Sequence, residues 1–131
     1  RNEHELAARG VTAQGFVADA GSDESILCAI ESMRHAMPPP EVLVFNAAVP
    51  RESAPSVLDP EALAADLRIG VLGALIAARA VLPAMRAAGG GRIINVGSIY
   101  GENVAEFIGA YAVAFWGRYV GTGDLLLYII I

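Results

Sequence analysis

The chain has 131 residues, a length that suits one domain with a single hydrophobic core. Hydrophobic residues make up 55% and charged residues only 18%, a composition that excludes a disordered chain. The net charge of −5 argues against nucleic acid as a partner, and no run of Lys or Arg indicates attraction to an anionic membrane.

The first predicted elements are a short strand over residues 11–18, which ends at Asp19, and a helix that follows it. Ser22 suits the N-cap of this helix, and apolar residues recur at helical spacing until the prolines at 38–40 stop it. Cys28 lies on the apolar stretch and is predicted as a small core residue. As the only cysteine it excludes an intrachain disulfide, which fits a reducing cytoplasm.

The run EVLVF, residues 41–45, predicts a strand that is buried on both faces. A second helix is predicted over residues 60–88, with Asp59 as N-cap and Pro60 in the first helical position. We expect a bend near Pro83. The longest charge-free apolar stretch of this helix has ten residues, which is short against the roughly 20 that span a bilayer.

The run RIINV, residues 92–96, predicts a third strand, which leads into Gly97 and Ser98. A third helix beginning near residue 108 contains Tyr111, and the apolar tail GDLLLYIII could form a buried strand. Strands that alternate with helices in this way predict right-handed crossovers and a parallel sheet, which is an α/β fold.

Small or polar residues follow each predicted strand. In open parallel sheets, ligands bind beyond the carboxyl ends of the strands, so these exits predict a binding crevice. Each exit taken alone is better explained as a turn toward solvent, and only the three together favour a crevice. The residues concerned are Asp19, Asn46, Ala47, Ala48 and Ser98.

Ser98 and Tyr111 are thirteen residues apart, one at a strand end and one on the following helix. Two hydroxyls in one cleft could hydrogen-bond a carbonyl oxygen and stabilise negative charge on it. Residue types alone favour the other explanation, that Tyr111 is a core tyrosine whose hydroxyl reaches the surface. The histidines, His4 and His35, are isolated, and the sequence predicts no metal site.

The chain resembles the short-chain dehydrogenases/reductases over about residues 1–117. VLVFNAA is similar to the strand that ends in Asn-Asn-Ala-Gly in that family. LGALIAARAVLPAMRAAGGGRIINVGSIYG is similar to the family's central helix and the strand after it. Ser98 falls at the catalytic serine, Tyr111 has the usual spacing from it, and Asp19 falls at the aspartate that contacts the adenine ring in relatives.

This resemblance implies a three-layer Rossmann-like fold with a parallel sheet, incomplete because the first two strands and the C-terminal part of the family are missing. Residues 1–131 would then form one partial domain with an unaligned tail at 118–131. It implies hydride transfer between NAD or NADP and a small alcohol or carbonyl substrate. Ser98 would orient the carbonyl, Tyr111 would move the proton, and Asn46–Ala48 would contact the cofactor.

Three departures from the family pattern predict a fragment with impaired activity. No segment matches the glycine-rich loop, Phe115 stands in place of the catalytic lysine, and Gly70 stands in place of the asparagine that supports a proton-relay water. The helix over residues 60–88 helps to form the dimer in relatives, so a homo-oligomer or a self-associating chain is expected. The alternative is a non-catalytic Rossmann-like module that only associates with partners.

A geometrical problem follows from the order 3-2-1-4-5 of a Rossmann sheet. The strand over residues 11–18 would be the third, and two strands without a counterpart here should separate it from residues 41–45. Either the two strands close directly on each other, or another chain fills the gap, or the chain is poorly folded. Exposed strand edges of this kind invite association. The opening RNEHEL, without an initiator Met, also predicts a piece of a longer protein.

Overall fold

The computed structural model describes residues 2–49, 54–97 and 127–130. The helices in this part are α1 (Asn2–Ala7), α2 (Asp23–Ala36), α3 (Pro60–Leu67) and α4 (Gly73–Ala87). A short 3₁₀ turn covers Pro55–Val57, and a π turn, Arg68–Leu72, joins α3 to α4. The strands are β1 (Val42–Phe45), β2 (Arg92–Gly97) and β3 (Leu127–Ile130).

The strands form a parallel sheet in the order β1-β2-β3. Phe45 lies beside Asn95 in one strand pair, and Ile94 lies beside Leu127 in the other. Both predicted apolar strands are therefore confirmed, as is the parallel arrangement. The prediction that residues 41–45 are buried on both faces is wrong, because Val42 and Val44 are 46% and 55% exposed on a face that no described helix covers. The tail also supplies a strand, which pairs with the edge of β2 opposite β1.

The predicted strand over residues 11–18 is wrong. These residues have no regular secondary structure, and the side chain of Val17 is 98% exposed. A strand is stable only when a neighbouring strand accepts and donates its backbone hydrogen bonds. No strand in the described ranges lies beside this segment, and it does not close onto β1.

Helix α2 begins where its cap predicts and packs through one apolar face. The Ser22 hydroxyl oxygen accepts a hydrogen bond from the Ser25 N–H at 3.3 Å. Ile26 and Ile30 are buried in the core of the protein. Cys28 is exposed, so its prediction as a core residue is wrong. It lies two positions from both isoleucines, and residues two apart on a helix do not share a face.

Helices α3 and α4 form one continuous helical segment that contains the π turn. The Asp59 carboxylate accepts a hydrogen bond from the Glu61 N–H at 3.1 Å, and Pro60 occupies the first position, as predicted. The irregularity lies at Arg68–Leu72, while α4 continues through Pro83. Pro83 is exposed, so solvent can satisfy the carbonyl that loses its helical donor there.

The helical segment Pro60–Ala87 is long and apolar enough, by length and composition, to cross a membrane. It has 28 residues and a mean hydropathy of 1.7 over its most apolar part. This is weak evidence, because core helices of soluble proteins meet the same criteria. The structure gives α4 a core face, in which Ala74, Ala77, Val81 and Met85 are buried. This face packs against α2 and β1 in a core completed by Ile26, Ile30 and Phe45.

Candidate functional site

A turn at Asp19 forms the first part of the site predicted at the sheet edge. One carboxylate oxygen of Asp19 accepts a hydrogen bond from the Gly21 N–H at 2.8 Å. The Asp19 N–H donates to the Ser25 hydroxyl at 2.9 Å, and its carbonyl accepts from the Ser22 N–H at 3.1 Å. Aspartate favours this geometry because its short side chain bonds the backbone two residues on. The turn is therefore fixed on both sides, with its carboxylate at the surface.

Arg68 ties this turn to the π turn. Its Nε–H donates to the Gly21 carbonyl at 3.1 Å, and its guanidinium forms an ion pair with the Asp23 carboxylate. The two side chains are 45% and 52% exposed, so water screens the pair and its contribution to stability is small. The hydrogen bond to Gly21 links residues 47 positions apart in the sequence, so it holds the turn against the helical segment in a way that local turn chemistry cannot.

The exit of β1 forms the second part of the site. Asn46 is exposed, and Ala47 and Ala48 are half-buried. Ala47 packs against the hydrophobic core, which fixes the backbone at this point. Small side chains at a strand exit leave the backbone open to the approach of a flat ligand.

Gly73, the first residue of α4, brings the two parts together. A Cβ atom on Gly73 would lie 2.7 Å from the Ala20 carbonyl oxygen and 3.2 Å from Cζ of Phe45. Ala20 follows Asp19 in the chain, and Phe45 precedes Asn46. The absence of a side chain at position 73 therefore lets the turn and the Phe45 ring approach the same point of the helix. That Asp19 and Asn46 serve one binding site remains a prediction.

Gly70 lies in the π turn and is buried. A π turn inserts one extra residue into a helix and is frequent at functional sites. Gly70 is the position at which the family pattern has an asparagine, and glycine offers only its backbone there. The position therefore lacks the side-chain amide that the resemblance would predict.

The predicted catalytic pair lies outside the described residues. β2 ends at Gly97, so Ser98 is the next residue after the described strand. Tyr111 and Phe115 belong to the range 98–126, for which no placement is described. That the two hydroxyls meet in one cleft remains a prediction.

Sequence reasoning missed Gly73 and Arg68 as residues that build the site. A signal for Gly73 exists, because an isolated glycine inside an apolar helical run often marks a close packing approach. No comparable sequence signal exists for Arg68, since a single arginine near the middle of a helix predicts only a solvent-exposed charge. Across residues 2–49, 54–97 and 127–130, no group of three or more His, Cys, Asp or Glu side chains could hold a metal ion.

Comparisons with known proteins place this arrangement in context. The family model for short chain dehydrogenases matches residues 1–117. The 3-oxoacyl-[acyl-carrier-protein] reductase FabG of Pseudomonas aeruginosa is 31% identical over 96 residues, which are 73% of this chain and 39% of FabG.

Solved structures agree with the chain over most of its length. A gluconate 5-dehydrogenase from Burkholderia cenocepacia, in complex with NADP and tartrate, superposes with a TM-score of 0.85 at 26% identity, covering 92% of this chain and 48% of that one. A 3-oxoacyl-(acyl-carrier-protein) reductase from Agrobacterium tumefaciens with NADP bound gives 0.85 at 25% identity, covering 98% and 52%. The chain thus spans about half the length of these relatives, and they share its Rossmann-like architecture.

Proposed function

Because the chain belongs to the short-chain dehydrogenase family, we propose that it carries part of the site of an NAD(P)-dependent oxidoreductase. The reaction is hydride transfer between a nicotinamide cofactor and a small alcohol or carbonyl substrate. The observation that carries the proposal is that the Asp19 turn and Phe45, the last residue of β1, both lie close to Gly73. In open α/β sheets, ligands bind beyond the strand end that follows Phe45. The cofactor class is supported by the relatives solved with NADP and by a xylitol dehydrogenase bound to NAD⁺.

The described residues fit the adenosine half of such a cofactor. The Asp19 carboxylate accepts one backbone hydrogen bond and has further lone pairs with which to accept from an adenine amino group. Ala47 and Ala48 allow a flat ring or ribose to approach the backbone, and Asn46 offers an exposed amide beside them. No segment of the chain matches the glycine-rich loop that cradles the pyrophosphate, so these residues do not supply that contact.

In the catalytic step, the cofactor when bound supplies or accepts the hydride. The Ser98 hydroxyl donates a hydrogen bond to the substrate carbonyl, and Tyr111 donates a proton to the alkoxide that forms there, or removes it in the reverse direction. Phe115 offers no cation to a tyrosine whose ordinary pKa is about 10. Since acid–base help is typically worth 10²–10⁴-fold, we expect impaired turnover from this chain.

The proposal also covers self-association, the class of substrate and the cellular compartment. Leu72 and Leu75 are 41% and 50% exposed on the helical segment that contributes to the dimer in relatives, which supports self-association. A small-molecule substrate fits the acidic net charge better than nucleic acid or an anionic membrane. The exposed single thiol of Cys28 suits the reducing cytoplasm.

A cofactor titration tests the proposal, with NADPH and NADH each followed by fluorescence. Asp19→Asn keeps an oxygen that accepts the Gly21 N–H but removes the charge. Charge-assisted hydrogen bonds exceed neutral ones by about 1 kcal/mol, so we expect about fivefold weaker binding. Glu61→Gln is the matched control, because it removes an exposed carboxylate away from the site and should leave binding unchanged. Absence of binding at millimolar cofactor, or equal losses in both variants, would refute the proposal.

A further inference from the structure

Gly21 links the Asp19 carboxylate to the π turn. Its N–H donates to one carboxylate oxygen of Asp19 at 2.8 Å, and its carbonyl accepts from the Nε–H of Arg68 at 3.1 Å. A Cβ atom on Gly21 would lie 3.3 Å from the same carboxylate oxygen and 3.5 Å from Cγ1 of Ile69. Only one residue therefore separates the carboxylate from the guanidinium, and any shift of Gly21 changes the hydrogen bond that orients Asp19.

The hydrogen bond from Arg68 also acts through the peptide unit between Gly21 and Ser22. The carbonyl of this unit accepts from the guanidinium, and its N–H donates to the Asp19 carbonyl at 3.1 Å. A peptide group that accepts from a charged donor becomes a stronger donor itself, because hydrogen bonds in a chain polarise one another. Arg68 therefore strengthens the backbone hydrogen bond that closes the turn.

Asp23 fixes the position of the guanidinium. Its carboxylate forms an ion pair with Arg68, while the Nε–H of Arg68 bonds the Gly21 carbonyl. Arginine suits this double contact, because its planar guanidinium presents several donors in a fixed fork. Both side chains of the pair are about half exposed, so the pair adds little stability. Its effect is on geometry instead, because a polar group of a binding site has to be held within about 0.5 Å of its productive position.

We propose that Arg68 is a positioning residue, which holds the Asp19 carboxylate in the orientation that accepts a hydrogen bond from the amino group of adenine. This role rests on the proposed function, since the adenine belongs to the NAD(P) cofactor. Arg68 acts through Gly21 and does not itself contact the cofactor. It thereby sets the base that the site prefers, because an amino group donates to a carboxylate and a carbonyl oxygen in the same place cannot.

Fluorescence titrations with NADPH and with reduced nicotinamide hypoxanthine dinucleotide phosphate test this role. Hypoxanthine carries a carbonyl oxygen where adenine carries the amino group, so it has no hydrogen there for the Asp19 carboxylate to accept. We expect the parent chain to bind NADPH about tenfold more tightly than the hypoxanthine form, since a hydrogen bond to a charged group is lost.

Arg68→Met retains an apolar stem but removes the charge and the hydrogen-bond donors. We expect it to lower the preference for adenine from about tenfold to about twofold, because the carboxylate is no longer held in place. Arg86→Met is the matched control, since it removes the same charge from an exposed position in the last turn of α4 and should keep the preference. The preference is a ratio of two affinities for equally charged cofactors, so it reports the orientation of Asp19 and not the general attraction of the chain for anions.

Two outcomes of the titrations would overturn the proposal and leave cofactor binding itself intact. Equal weakening of both cofactors by Arg68→Met would show that Arg68 has a purely structural role. A parent chain that binds the two forms with equal affinity would show that Asp19 does not meet the amino group. In either case the chain still binds the cofactor, so the proposed function stands.

Amide hydrogen exchange tests the positioning without any cofactor. In Arg68→Met, the Gly21 and Ser22 N–H groups should exchange about threefold faster, because both donate within the turn that Arg68 holds. The Gly89 N–H, which donates to the Arg86 carbonyl at the other end of α4, should not change. Unchanged exchange at Gly21 and Ser22 would overturn the proposal. If the parent chain binds neither cofactor at millimolar concentration, the proposed function fails, and the exchange rates alone decide whether Arg68 holds the turn.

Discussion

Replacing Gly73 with alanine adds one methyl group at the point where the Asp19 turn and the Phe45 ring meet α4. The new Cβ would lie 2.7 Å from the Ala20 carbonyl oxygen and 3.2 Å from Cζ of Phe45. The aromatic ring can move by a few tenths of an ångström. The Ala20 carbonyl cannot move so freely, because it belongs to a turn in which the Gly21 and Ser22 N–H groups both donate hydrogen bonds to Asp19. The turn must therefore shift away from the helix.

Two opposing effects determine how much Gly73→Ala changes the free energy of unfolding. Alanine is favoured over glycine inside a helix by about 1 kcal/mol. Overpacking a buried contact costs typically 1–3 kcal/mol, and a backbone neighbour puts this site in the upper part of that range. We expect Gly73→Ala to lower the free energy of unfolding by about 1–2 kcal/mol, which corresponds to roughly 4 °C in Tm per kcal/mol for a chain of this size.

Urea unfolding followed by far-UV circular dichroism measures the effect. The experiment is run at two protein concentrations, so that a shift caused by self-association is recognised. Ala65→Gly in α3 is the matched control, because Ala65 is exposed and the change reports helix propensity alone. It should lose about 1 kcal/mol. Stabilisation by Gly73→Ala of the size that Ala65→Gly loses would refute the close approach of the turn to α4.

Further predictions concern the core and a helix cap. Met85→Ala removes a side chain that is 2% exposed and should lower the free energy of unfolding by about 2–5 kcal/mol. Met37→Ala, at 39% exposure, should lower it by less than about 1 kcal/mol. Similar losses for the two variants in urea unfolding would contradict the core position of Met85. Ser22→Ala should lower the free energy of unfolding by about 1 kcal/mol through loss of the cap of α2, whereas Ser22→Thr should retain most of the stability that the cap provides. Equal urea midpoints for these two variants would show that the cap does not contribute.

Helix starts and apolar strands could be predicted from the sequence because their causes are local. Ser22 and Asp59 act on N–H groups two or three residues away, and Pro60 has its backbone angle preset. The apolar runs that became β1 and β2 are rich in β-branched residues, which favour strands, although Val42 and Val44 of β1 are 46% and 55% exposed. The segment over residues 11–18 is different, because its strand character depends on a partner strand beside it.

In the candidate site, too, only some of the residues could be predicted from the sequence. Asn46 could be placed at the sheet edge from the sequence, because it follows the strand that became β1. The same reasoning fails for Asp19, since the strand predicted before it is absent. The roles of Gly73 and Arg68 could not be predicted, since each depends on a partner far along the chain whose position only the packing of α4 determines. The exposure of Cys28 was missed for a simpler reason. An apolar stretch predicts that a helix has a buried face. Whether a given residue such as Cys28 lies on that face depends on how the helix packs.

The π turn at Arg68–Leu72 keeps the buried residues of the helical segment in phase. Asp66 lies in α3 and Met85 lies near the end of α4, and they are 3% and 2% exposed. At 3.6 residues per turn, a regular helix would rotate these two positions about 100° apart around its axis. The additional residue in the π turn absorbs that rotation, so that one stripe faces inward along both halves. The same local widening that carries Gly70 therefore also aligns the interior of the longest helical segment that the structure describes.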